Sequence, residues 1–130
     1  SWLTRWPAAM LVFGGESIGL LQSFFCEVWS VLPVFPGEAE PSVNILCTFT
    51  DGFWRCWLVL RSCHRPRQYD GERKDGRLIS PGAVDMAGVV ITPRESDFSS
   101  ITASEMDDIY RQVASPALLD LCLAHLKKRT

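Results

Sequence analysis

Ser42-Val-Asn-Ile-Leu-Cys-Thr-Phe-Thr-Asp51-Gly52-Phe-Trp-Arg-Cys-Trp-Leu-Val-Leu-Arg61 is the stretch that decides the fold. Two apolar-rich runs meet at Asp51-Gly52, and a type I′ turn needs positive φ at both central positions, which Asp-Gly tolerates well. The run therefore predicts a β-hairpin. It hands a basic, histidine-containing segment, Ser62-Cys63-His64-Arg65-Pro66-Arg67, to one edge of a sheet.

With Asp51 and Gly52 as loop residues, Thr50 faces Phe53, and the pairs run Phe49 with Trp54, Cys47 with Cys56, Ile45 with Leu58 and Val43 with Leu60. Side chains alternate with period two, so these share one apolar face. Asn44, Leu46, Thr48, Thr50, Phe53, Arg55, Trp57, Val59 and Arg61 fall on the other. The first face reads as core and the second, mixed face as open to a ligand or a partner domain.

Composition narrows the class. A chain of 130 residues, 47% hydrophobic and 22% charged, suits one globular domain with a real core rather than a disordered segment. A formal charge of -2 argues against a dedicated nucleic-acid binder, although 13 basic residues could cluster locally. No apolar run approaches the ~20 residues that cross a bilayer, so no membrane partner is expected. Ser1-Trp2-Leu3-Thr4-Arg5 lacks a basic n-region and a clean apolar core, so it does not read as a signal peptide. The start on Ser, close to structured-looking sequence, suggests a piece of something longer.

Five cysteines are an odd number without Cys-x-x-Cys spacing, and His64 and His125 are the only histidines. Neither a zinc site nor a complete disulfide framework fits this pattern. Reduced thiols in a cytoplasmic protein are the expectation. Cys47 and Cys56 are the pair to watch, since a non-hydrogen-bonded cross-strand pair lies near the lower end of disulfide spacing.

Outward from the hairpin, residues 8–13 read as a short buried strand ending at Gly14-Gly15. Ile18, Leu21, Phe25, Val28 and Leu32 recur at helical spacing within 16–32. Residues 33–41 are a turn-rich connector, and 63–77 a polar, basic, mobile loop. A further strand is expected at 86–92, stopped by Pro93. Thr102-Ala-Ser-Glu105 is a capping-box pattern that opens a helix to Ala114. Ser115-Pro116 starts another helix, whose Lys127, Lys128 and Arg129 suit its C-terminal end. The expected class is α+β, an antiparallel sheet of about four strands with three main helices. His125, on an otherwise apolar helix, reads as a packing or surface residue.

Asn44-Ile-Leu, Trp57-Leu-Val-Leu-Arg61 and Ser80-Pro-Gly-Ala-Val-Asp-Met-Ala-Gly-Val-Val-Ile91 resemble the C-terminal region of the larger histidine-triad superfamily members. These are ATP adenylyltransferases (diadenosine tetraphosphate phosphorylases), GDP-galactose phosphorylases and their bacterial relatives. Cys63-His64-Arg65-Pro66 and Ile91-Thr92-Pro93-Arg94-Glu95-Ser96-Asp97-Phe98 are similar to segments of the bacterial group. The resemblance spans most of 42–113 and implies a histidine-triad-like domain over residues 1–130. It further implies a role as the accessory, C-terminal half of a nucleotidyltransferase or nucleotide phosphorylase, shaping the phosphate or acceptor side of the site.

The chain departs from that pattern at the chemistry. The family's nucleophile is the middle histidine of His-x-His-x-His or His-x-His-x-Gln, and no two histidines here lie two residues apart. No catalytic residue is expected in this chain, nor any cofactor or metal. The partners implied are a nucleotide or nucleotide-sugar, the N-terminal half that carries the nucleophile, and a second copy of the chain. The alternative is a non-catalytic binding or assembly module that keeps the fold.

Candidate phosphate or nucleotide ligands are Asn44, Arg61, His64 and Arg65, because guanidinium forks match phosphate oxygens. On that reading, replacing Arg61 and Arg65 together weakens phosphate binding and spares the fold. Arg67, Arg73, Lys74 and Arg77, interleaved with Asp70, Glu72 and Asp75, read as a solvated loop. Trp54 and Trp57 read as packing residues rather than base-stacking platforms.

Overall fold

The computed structural model describes residues 7–70 and 76–128. In chain order these form β1 (Met10–Gly15), α1 (Ile18–Trp29), β2 (Val43–Thr50), β3 (Phe53–Leu60), α2 (Ala83–Met86), α3 (Glu95–Ser100), α4 (Ala103–Val113) and α5 (Pro116–Lys127). The class is α+β, with one antiparallel sheet in the order β1-β3-β2.

The hairpin adopts the expected register, with Cys47 opposite Cys56 and Thr50 opposite Phe53. Asp51 (φ 53°) and Gly52 (φ 76°) both lie in the left-handed region that a type I′ turn demands. β1 joins the other side of β3, placing Met10 opposite Val59 and Phe13 opposite Cys56. Gly14 permits that approach, because a Cβ there would run into the Trp54 carbonyl and the Phe53 ring.

Both faces of the sheet are covered at the hairpin base. On one, Leu58 and Leu60 pack under Val28, Leu32 and Cys122, contributed by α1, its trailing turn and α5. On the other, fully buried Val59 packs with Met86, Tyr110, Val113 and Ala114, flanked by Met10 and Leu46. The expectation of an open mixed face therefore holds only for its outer half, where Thr48, Thr50, Phe53 and Arg55 are exposed. α2 and α4 close the inner half, and the Tyr110 hydroxyl fastens them by donating to the Asp85 carbonyl (2.8 Å). Burial raises the Tyr110 phenol well above its ordinary pKa, with the nearby Asp85 carboxylate adding to it.

The local signals for the main helices are met. Ser17 caps α1 by accepting from the Leu20 N–H (3.2 Å), and Leu21, Val28 and Leu32 are buried, whereas Ile18 faces solvent. Thr102 caps α4 by accepting from the Glu105 N–H (3.1 Å), although the Glu105 carboxylate goes to Arg77 so that only this half of the capping box forms, and Ser115-Pro116 opens α5. At its far end α4 is tied to the sheet. The Val113 and Ala114 carbonyls accept from Ser62 N–H (2.7 Å) and Ala9 N–H (3.4 Å), satisfying acceptors that a helix C-terminus leaves open.

The strand expected at 86–92 is replaced by α2 and an irregular return, so the sheet has three strands rather than about four. Asp85 is the cause: its carboxylate accepts from Gly82 N–H (2.8 Å) and Ile91 N–H (3.0 Å), looping the segment onto itself. Gly88 (φ 108°) allows the reversal, and Val89, Val90 and Ile91 are left exposed. α3 is a helix beyond those expected from the sequence.

Cys26, Cys47 and Cys63 are exposed thiols, while Cys56 and Cys122 are buried. Burial, reinforced by Cys47, pushes the Cys56 thiol up to about 11. At pH 8, brief alkylation of the native protein should therefore label Cys26, Cys47 and Cys63 and spare Cys56 and Cys122 until the chain is unfolded. Peptide mapping checks this. A Cys47 to Cys56 bridge would overturn the reduced-thiol expectation while agreeing with the register.

Candidate functional site

The site is built where β3 runs out. The Arg61 N–H still pairs with the Ser42 carbonyl (2.9 Å), so its side chain stays in the strand alternation and projects on the same face as Asn44, its diagonal neighbour. Only 6% of Arg61 is exposed. Its Nη1 donates to Asn44 Oδ1 (2.8 Å) and to the Pro81 carbonyl (2.6 Å). Its Nη2 donates to the carbonyls of His64 (2.8 Å) and Cys63 (3.4 Å). Burial lowers the Arg61 pKa, and the nearby Cys63 and Asp85 act in the opposite direction.

This geometry divides the four sequence-predicted ligands. Asn44 and Arg61 meet directly, but as a staple that joins the β2 start, the residue 63–64 turn and the Pro81 segment. The Arg61 fork is spent on carbonyl oxygens. His64 contributes its backbone carbonyl, which also accepts from Ser80 Oγ (3.3 Å), and the residue is otherwise exposed. Arg65 is exposed and lies over the Tyr69 ring, 4.1 Å from its centroid.

Tyr69 is one wall of an open groove of about 510 Å³, with Leu78, Ser80, Gly82–Asp85, Ile91 and Pro93 as the rest of the lining. The looped segment around Asp85 thus lines the groove together with Tyr69. The apolar run 88–91, which has no strand to join, contributes Ile91 to this groove.

The remaining basic residues divide as well. Arg67 pairs with Asp108 (2.8 Å) at an exposed position, as expected of a solvated loop. The Asp108 carboxyl is held below its ordinary range by a hydrogen bond from Gln68, partly opposed by burial and supported by Arg67. Arg77 departs from that reading. Its Nε and Nη2 grip Glu105 bidentately (2.8 Å each), and Nη1 reaches Asp97 (3.5 Å). Arg94 also binds Asp97 (2.9 Å) and donates to the Gly76 carbonyl, while Asp97 accepts from the Leu78 N–H (3.0 Å). This network holds the stretch that supplies Leu78 to the groove. The sequence carries one clue to it, the Arg94 to Asp97 spacing at the start of α3. Arg73 and Lys74 lie outside the described residues.

Among the described residues no group of three or more His, Cys, Asp or Glu side chains is placed to hold a metal ion, and no helix is long and apolar enough to cross a membrane. Searches against protein-family models, curated proteins and solved structures returned no match for this chain.

Proposed function

We propose that this domain is the accessory half of a histidine-triad-like nucleotidyltransferase or nucleotide phosphorylase, and that it binds the phosphate or acceptor portion of a nucleotide or nucleotide-sugar. The observation that carries the reading is the pairing of an exposed guanidinium, Arg65, with the Tyr69 wall of the open groove. A cation stacked on an aromatic ring at the groove wall suits an anionic group, with the apolar lining beside it for a flat group. Arg61 acts as a positioning residue, fixing the turn from which Arg65 departs. The nucleophile comes from outside this chain, which has no His-x-His.

Titration with ADP or inorganic pyrophosphate, followed by NMR, should shift resonances of Arg65, Tyr69 and Ser80. Arg65→Ala should weaken binding by about 1.5–3 kcal/mol, the worth of a charge-assisted hydrogen bond, whereas Arg67→Ala should leave it unchanged. The chain alone should turn over neither ATP nor GDP-hexose with phosphate. An absence of ligand-dependent shifts at Arg65 and Tyr69 would reject the site and favour the second reading, a non-catalytic assembly module. That reading has its own support in the exposed outer half of the hairpin.

A further inference from the structure

The edge of the sheet at β2 lacks the charges, proline and bulges that keep such edges apart. Thr50 and Phe53 flank a two-residue turn and form a hydrogen-bonded pair, so Asn44, Leu46 and Thr48 also turn their backbone groups toward β3. The N–H and C=O groups of Val43, Ile45, Cys47 and Phe49 then point to the free edge, where β2 has no further strand among the described residues. Natural edges are blunted by lysine, proline, inward charge or a bulge. Here all eight residues of β2 are uncharged, none is proline, and the pairing with β3 runs without a bulge. Ile45 is 44% and Phe49 55% exposed.

We infer that β2 pairs antiparallel with β2 of a second copy of this chain, about a two-fold axis at Leu46, to form one continuous six-stranded sheet across the dimer. The strand is complementary to itself in this register. Ile45 lies opposite Cys47 of the other copy and Val43 opposite Phe49, which places apolar on apolar on one face, where Ile45, Cys47 and Phe49 are exposed and Val43 is half-buried against the Leu58 cluster. Asn44 lies opposite Thr48 on the reverse face, and Leu46 meets its own equivalent. The four outward-facing residues of each strand exchange roughly eight backbone hydrogen bonds in total. No like charges oppose one another, and a formal charge of -2 per chain adds little repulsion.

Light scattering on the purified chain should give twice the 14.6 kDa monomer mass. Ile45→Lys places a charge on an exposed edge position and should yield a monomer with an unchanged circular dichroism spectrum. Cys47→Glu should do the same. Mixing these two variants should restore the dimer, because the ammonium introduced in one copy then faces the carboxylate introduced in the other, whereas mixing Ile45→Lys with Phe49→Glu should not. A wild-type protein that remains monomeric at high concentration overturns the proposal, as does a dimer indifferent to Ile45→Lys. Rescue by Phe49→Glu in place of Cys47→Glu would overturn the register.

Discussion

Arg61→Met should destabilise the protein by roughly 3–5 kcal/mol, a loss far larger than a surface arginine would cause. The substitution removes the donors for the Pro81 carbonyl and for Asn44 Oδ1, at buried and half-buried positions, and one of the two donors to the carbonyl of exposed His64. Each acceptor left dry costs about 1–3 kcal/mol, and methionine refills the volume but supplies no donor. Arg61→Lys should recover only part of the loss, since one ammonium cannot span acceptors that a planar fork reaches together. Urea unfolding followed by fluorescence tests this through the midpoint, with the slope expected to be unchanged. A loss under ~1 kcal/mol would return Arg61 to the status of a solvated ligand. The sequence-based expectation that Arg61 could be replaced without harm to the fold is set aside on this geometry, and Arg65 remains the residue to vary in binding work.

Asp97→Asn should cost a comparable 3–5 kcal/mol or so at neutral pH, because it takes the buried carboxylate from Arg94 and one of two carboxylates from Arg77, which keeps Glu105. Asp97 is 2% exposed. Burial by itself pushes its carboxyl up, yet hydrogen bonds from Arg94, the Leu78 N–H and Arg77, with the charge of Arg94, outweigh that and hold it below the usual carboxylate range. A depressed folded-state pKa contributes stability above the unfolded value, near ~4, and that contribution fades as pH falls through the folded value. The gap between wild type and Asp97→Asn should therefore be wide at pH 7 and shrink at pH 3. Unfolding midpoints at the two pH values measure it, and an equal gap at both would refute the ion-pair account. Because Arg94 also anchors the Gly76 carbonyl, the variant should loosen the strand of chain that carries Leu78 into the groove.

The parts of this fold that are legible in the sequence are those fixed by neighbours in sequence. Asp51-Gly52 sets the hairpin register alone, through backbone sterics that need no distant contact, and every cross-strand pair follows from it. Thr102 and Ser115 mark helix starts for the same reason. The segment around Asp85 misleads because its apolar residues look like a strand, while its conformation is set by one carboxylate reaching two amides six residues or fewer away. Arg61 misleads for the opposite reason. Its partners at Pro81 and His64 are carbonyl oxygens, which every residue possesses, so no side-chain pattern announces them. Arg77 and Asp97 belong to the same class, joined across the sequence by a fold that the residues between them do not reveal.

The clasp at the end of α4 ties residue 9 to residue 114 and residue 62 to residue 113. Those links close very long loops of chain, and the entropy of closing a loop is met before its contacts return anything. During synthesis the hairpin can form early, but β1 and β3 cannot receive their caps until α4 has been made. Until then Val59 and its neighbours wait without their cover, and the half-built sheet shows water an apolar surface that the finished molecule hides. For that interval the order in which the chain emerges, rather than the final energy of any contact, governs whether it folds or aggregates.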